Sequence, residues 1–188
     1  RVISSRTTQL AAIMVREGDA DAMICGVEGN YVSHLNYIQS VIGTRAGVSN
    51  LAAATMLILP NGTYFLTDTH VTVDPTAEQL ADTTALAAEL VQKFGIKPQI
   101  ALLSHSNFGS RRNDSSSKMR EALAIVRTRY PDLVVEGEMH ADTALSDEIR
   151  SRLFKDSSLK GEANLLVFPD LDAANISYNM VKMLAEGV

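Results

Sequence analysis

Short apolar runs alternate along the chain with stretches whose apolar residues fall three and four apart. Residues 7–16 (TTQLAAIMVR) have the helical spacing and stop near Gly18, which predicts a first helix. Residues 22–27 (AMICGV) are a brief apolar run, expected to be a buried strand joined to that helix by an acidic turn at Asp19 and Asp21. A second helix is expected over about 32–42. Residues 52–59 (AAATMLIL) read as a strand, Pro60-Asn61-Gly62 as a hairpin turn, and 64–66 as the partner strand. Asp74 or Thr76 caps a helix that runs to about Phe94, where Gly95 stops it. Residues 100–103 (IALL) predict a buried strand, 119–130 an amphipathic helix ending before Pro131, and 133–136 a short strand. A short helix over 146–154, a last apolar strand over 164–168 and a closing helix over 176–184 complete the pattern. The polar tract 111–118 is expected to be mobile. Strands alternating with helices predict an α/β sandwich on a mostly parallel sheet with one hairpin.

Composition narrows the function classes. At 188 residues, 46% hydrophobic and 21% charged, the chain suits one sizeable domain or two small lobes with a buried core. A net charge of −5 argues against nucleic acid or an anionic membrane as the main partner, so an anion site has to be local. No apolar run approaches the roughly 18 residues that span a bilayer, and no signal peptide is visible. The single cysteine, Cys25, excludes an internal disulfide, fits a reducing cytoplasm, and reads as a small core residue within MICGV. The chain opens on Arg1 without an initiator Met, as expected of a piece of a longer polypeptide.

Candidate chemistry gathers where strands end. The strand at 100–103 runs into Ser104, His105, Ser106, Asn107, Phe108, Gly109 and Ser110, followed by Arg111 and Arg112. Hydroxyls, an amide and bared backbone N–H groups just past a strand end can surround an anion, and glycine lets the backbone approach it. The same composition also describes a plain surface turn. Arg45 stands between Gly43 and Gly47, where a guanidinium can offer a planar fork to phosphate or carboxylate, or stand idle in solvent. Thr67, Asp68, Thr69 and His70 follow another strand on the expected cleft side. Gly26 and Gly29 do not make a dinucleotide fingerprint, because the third glycine and the acidic partner are missing. His34, with Tyr37 and Ile38 a turn away, reads as a packed or hydrogen-bonded histidine. Glu136, Glu138, His140 and Asp142 alternate in a way that could ligate a metal, but no second constellation supports it. Asp142 is read instead as a cleft acid, as is Asp170.

The order of TRAGV (44–48), DPTAEQLA (74–81), ALLSHSNFGS (101–110), EGEMHADTAL (136–145) and ANLLVFPDLDAANISY (163–178) resembles the phosphate acetyl/butyryltransferase family across essentially the whole chain. The resemblance implies a three-layer α/β/α, two-lobed fold similar to isocitrate and isopropylmalate dehydrogenases. One lobe would comprise 1–56 and 176–188 and be incomplete here; the other would comprise 57–175. The family moves an acyl group between coenzyme A and phosphate. The resemblance implies that acetyl-CoA or an acyl phosphate is held by Arg45, Ser104, Ser106, Asn107, Gly109 and Ser110, with Asp142 and Asp170 as the cleft acids. Residues 30–37 lack the arginine that the transferases carry before the TRAGV-like loop. In this they resemble the phosphotransacetylase-like C-terminal domain of bacterial NADP-dependent malic enzymes. The family's late Ser-Arg-Gly…Asp segment, which supplies catalytic residues, would follow Val188. That likeness implies a cytoplasmic homo-oligomer, dimeric or higher, in which acetyl-CoA is an allosteric effector and transfer is slight or absent. NADP and Mg or Mn would belong to the malic enzyme catalytic domain of the same polypeptide. The other expectations held open are an active transferase and a purely structural dimerisation module.

Overall fold

A computed structural model describes residues 7–46, 48 and 50–187. The chain divides into two compact units, 1–50 and 51–188. In the first, α1 (Thr7–Glu17) packs against α2 (Tyr31–Ile42). The Oδ1 of Asn30 caps α2 by accepting the Val32 N–H at 2.9 Å. Thr8 and His34 join the two helices through a bond of 2.7 Å between Oγ1 and Nδ1. The strand expected over 22–27 does not form. A strand is stable only on a ladder, and among the described residues no neighbouring strand pairs with this run. Ile24 and Val27 are accordingly 98% and 97% exposed, and Cys25 is exposed where a core position was expected.

The second unit holds a five-stranded sheet in the order β1-β2-β5-β3-β4. The hairpin of β1 (Ala54–Leu59) and β2 (Gly62–Thr67) is antiparallel. Strands β2, β5 (Leu165–Val167), β3 (Ile100–Leu103) and β4 (Val135–Met139) run parallel, so their carboxyl ends share one edge. The crossovers use α3 (Ala77–Lys93), α4 (Asp114–Arg129), and the pair α5 (Ala141–Leu145) and α6 (Asp147–Leu153); α7 (Leu171–Leu184) follows β5.

The inner strands are buried on both faces, which is why β3 and β5 read as unbroken apolar runs. Ile100 and Leu102 face one way, onto a cluster with Phe65, Leu80, Val91, Met119 and Val126, under α3 and α4. Ala101 and Leu103 face the other way, with Leu66, Met139, Leu166, Phe168 and Ala174. Thr76 closes a capping box with Gln79 at the start of α3, resolving the choice between Asp74 and Thr76.

Four sequence expectations change. The tract 111–118 is not a loop throughout: Asn113 caps α4 through a box with Ser116, and Ser116 is buried. The strand expected at 133–136 lies at Val135–Met139, and the helix expected over 146–154 is the last part of a pair, α5 and α6. Asp170 caps α7 through the Ala173 N–H, so that helix starts five residues before the expected 176. Residues 176–187 lie in the second compact unit. There Tyr178 and Val181 of α7 pack on the second core cluster.

One irregularity positions the site. Leu102 pairs with Gly137 and Leu103 with Met139, so Glu138 is an extra residue in β4, a bulge that re-aims its side chain. Gly137 has φ +150°, and a Cβ there would stand 2.7 Å from the Leu102 carbonyl oxygen, so a side chain is excluded.

Candidate functional site: the loop after the central strand

Residues 104–110 leave the carboxyl end of β3, beside the ends of β4 and β5, where open parallel sheets place their ligand crevice. Two backbone bonds tie the loop to β4: Ser104 N–H to the Met139 carbonyl and Phe108 N–H to the Glu138 carbonyl, both at 2.8 Å. Phe108 (φ 48°) and Gly109 (φ 83°) both take the left-handed conformation, which turns the chain back on itself. The strain at Phe108 is held by packing: its ring stacks on Phe154 with centroids 4.5 Å apart.

The centre of the loop is a carboxylate of the chain itself. Glu138 is 1% exposed, and its Oε1 accepts the Ser106 hydroxyl at 2.6 Å, the Gly109 N–H at 2.9 Å and Nη1 of Arg120 at 3.1 Å. Ser106 is fully buried; with its hydrogen donated to Glu138, its Oγ accepts the Arg111 N–H at 3.0 Å. Two of the donors expected of the loop, the Ser106 hydroxyl and the Gly109 N–H, thus bind a carboxylate of the chain itself. Arg120 supplies the opposing charge that a buried carboxylate requires. Sequence reading placed Glu138 only among weak metal candidates. Its partners lie 32, 29 and 18 residues away, and no local spacing announces them.

The outer half of the loop keeps unused donors. Ser104 Oγ accepts the Ser106 N–H at 3.2 Å, and among the described residues its own hydrogen meets no acceptor. Asn107 Oδ1 accepts the His140 N–H at 2.8 Å, which turns its amide donors away from β4 with no acceptor among the described residues. Ser110 Oγ accepts the Asn107 N–H at 3.0 Å and lies 3.4 Å from Ser106 Oγ. Arg111 and Arg112 follow on the surface. Of the remaining expected residues, Arg45 lies in the first unit, exposed, its carbonyl accepting the Val48 N–H at 3.0 Å. Asp142 is exposed in the first turn of α5, accepting the Thr143 N–H at 2.7 Å. Asp170 is occupied as the cap of α7.

The other chemistry-bearing groups are locally satisfied. Asp68, buried at the end of β2, accepts four backbone N–H groups, from Ala53, His70, Val71 and Thr72, and so ties down the loop it begins. Glu136 pairs with Arg127 at 2.7 Å and accepts the Ser158 N–H at 3.0 Å. Glu136, Glu138, His140 and Asp142 do not converge, and among the described residues no group of three or more His, Cys, Asp or Glu could hold a metal ion. His34 donates from Nε2 to the Glu28 carbonyl at 2.6 Å, because a carbonyl can only accept; Nδ1 then accepts the Thr8 hydroxyl. No helix among the described residues is long and apolar enough to cross a membrane.

Comparison with known proteins agrees with this architecture. The chain is 52% identical over its whole length to an NADP-dependent malic enzyme of Escherichia coli, covering 25% of that protein. It is 50% identical to an NAD-dependent malic enzyme of Rhizobium meliloti, covering 24%. It is 35% identical over 95% of its length to a phosphate acetyltransferase of Treponema pallidum, covering 56%. The chain thus spans about a quarter of the malic enzymes it matches. Among solved structures, the EutD phosphotransacetylase of Staphylococcus aureus superposes with a TM-score of 0.90 at 25% identity, over 96% of this chain and 56% of that one. A phosphotransacetylase of Streptococcus pyogenes gives 0.87 at 32% identity, over 96% and 55%. The family pattern described as Phosphate acetyl/butaryl transferase matches residues 1–187, and the chain belongs to that family.

Proposed function

We propose that this chain is the phosphotransacetylase-like C-terminal module of a malic enzyme and that it binds acetyl-CoA as an effector, with slight or no acyl transfer of its own. The observation that carries the reading is the contrast in likeness. Identity is 50–52% to malic enzymes over the full chain and 30–35% to phosphate acetyltransferases over nearly the same span. The malic domain of the same polypeptide would oxidise malate to pyruvate with NADP and Mg or Mn.

The site's chemistry supports binding over turnover. Ser104, the Asn107 amide, Ser110 and the two arginines can hold a phosphate of the ligand, while Glu138 already occupies the inner donors. Thiolysis of an acyl phosphate needs a base for the thiol and several cations on the developing charge, and binding alone supplies neither. Control by a bound effector requires that it bind two states of the whole enzyme with different affinity. Self-association is part of the same proposal. Ile176, Met180, Met183 and Leu184 form an exposed apolar stripe along α7, at 54–80% exposure.

The test is acetyl-CoA titration by calorimetry on the full-length enzyme and its Ser104→Ala/Arg111→Ala variant, with malate oxidation assayed alongside. Binding that slows malate oxidation, with both effects weakened in the variant, is the expected result. Normal malate oxidation with no acetyl-CoA binding would overturn the effector reading. Phosphate-dependent consumption of acetyl-CoA with turnover would establish the transferase instead.

A further inference from the structure

A cavity of about 300 Å³ lies on the face of the sheet covered by α5 and α7. Its walls are apolar: Leu57, Leu66, Leu103, Leu166, Phe168 and Val181 all line it. Three of its polar groups form one chain of hydrogen bonds, and the Ser177 hydroxyl stands apart from it. The Asn61 amide donates to the Tyr64 oxygen at 3.3 Å, and the Tyr64 hydroxyl donates to Glu162 Oε2 at 2.8 Å. Tyr64 is 8% exposed, whereas Glu162 stands in solvent at the same cavity. Among the described residues no lysine or arginine pairs with Glu162.

We infer that this cavity binds a small amphiphilic ammonium ion, an aliphatic body of about six carbons among the leucines with its ammonium on Glu162. Three features carry the assignment. The volume is at the lower end of those that hold small organic ligands, which limits the body's size. Most of the lining is aliphatic and gives a hydrocarbon chain contact on several sides, with the Ser177 hydroxyl and the Asn61 amide among its few polar groups. The net charge of the polar cluster is a single carboxylate, with the phenol hydrogen already directed at it, so the cluster can accept from a ligand and repels an anion. Burial and the Glu162 contact both push the Tyr64 phenol up, to about 12, which keeps it a donor to Glu162 at neutral pH. The cavity is lined by none of the residues 104–110, so this site stands or falls independently of the acyl-CoA reading.

The experiment titrates hexylammonium, hexanol and hexanoate in turn into the full-length protein by calorimetry, with Glu162→Gln and Ser177→Trp as variants. Ser177 lines the cavity from α7 and is only half-buried, so a tryptophan there occludes the space without rebuilding the core. The expected order is hexylammonium at least about 10-fold tighter than hexanol, with hexanoate weakest. Glu162→Gln should bring the three within about 3-fold of one another, and Ser177→Trp should abolish the binding of all three. Equal affinity of the wild type for the three probes, no saturable binding, or hexylammonium binding that survives Ser177→Trp would each overturn the assignment.

Discussion

Ser106 Oγ donates to Glu138 Oε1 across 2.6 Å, joining the loop after β3 to the bulge in β4. Both groups are buried, so the bond belongs to the core of the unit although both ends lie beside the candidate ligand crevice. Removing the hydroxyl leaves Glu138 with the Gly109 N–H and Arg120, a carboxylate short of one strong donor. Ser106→Ala should therefore lower stability by about 1.5–3 kcal/mol, the range for hydrogen bonds to charged groups. Ser104→Ala removes a half-buried hydroxyl that accepts the Ser106 N–H, a bond between neutral groups, and should cost less, about 0.5–1.5 kcal/mol. Urea denaturation of the two variants side by side reads the difference. Equal destabilisation would mean that the Glu138 bond does not organise the loop.

Arg150 fixes the other side of the sheet's crossover. Its side chain is 1% exposed, and Nη1 donates to the Thr143 and Ala144 carbonyls at 3.2 and 3.3 Å. Nη2 donates to Asp147 Oδ1 at 2.6 Å and to the Gly161 carbonyl at 2.5 Å. One guanidinium thus satisfies three carbonyls of α5 and of the segment leading to β5, which no neutral side chain of that length can do. Arg150→Met keeps much of the apolar stem but removes the donors to the Thr143 and Gly161 carbonyls, while the Ala144 carbonyl keeps the Ala163 N–H, and should cost about 3 kcal/mol. Asp147→Ala removes the acid's bonds to Arg150 and to the Gly161 N–H but leaves the carbonyl contacts in place, and should cost less, about 1–2 kcal/mol. Thermal and urea unfolding of the pair tests whether the carbonyls or the ion pair matter.

The two acids expected in the cleft separate by the same kind of measurement. Asp170 accepts the Ala173 N–H at 2.8 Å as the cap of α7, so Asp170→Ala should cost about 1 kcal/mol and Asp170→Asn a few tenths. Asp142 is exposed in a five-residue helix, and Asp142→Ala should change stability by less than about 0.5 kcal/mol. An Asp142→Ala variant as destabilised as Asp170→Ala would give Asp142 a structural role.

The parts of the fold visible in the sequence are those set by local rules. The runs at 54–59 and 100–103, the turn before Gly62 and the helices that stop at Gly18 and Gly95 all appear where periodicity and stop residues put them. The run at 22–27 has the same local signature as those strands, yet stands in solvent, because strand formation depends on a partner that no window of sequence reveals. The start of α4 was hidden by its polar composition, although Asn113 three residues before Ser116, and Ser116, Met119, Leu123 and Val126 at helical spacing, carry the signal. At the candidate site the loop was legible from Ser104, Ser106, Asn107 and Gly109, because a polar cluster after an apolar strand is a local feature. Glu138, Arg120 and the Tyr64–Glu162 pair were not legible, because each depends on contacts 18 to 98 residues apart in the chain.

That last pair makes a prediction about alkaline pH. Burial first, then the hydrogen bond and the negative charge of Glu162, hold the Tyr64 phenol at about 12, against an ordinary value near 10. The folded state therefore keeps the proton after the unfolded chain has begun to lose it. The stability this contributes is complete below about pH 10 and disappears as pH rises toward about 12. Urea unfolding followed across that window should show the wild type losing stability relative to Tyr64→Phe, which has no proton to release there. Glu162→Gln removes the acceptor's charge but leaves the burial, so phenolate absorbance should place its Tyr64 midpoint between the ordinary value and that of the wild type. A midpoint that falls all the way to the ordinary value would assign the whole shift to Glu162 and none to burial.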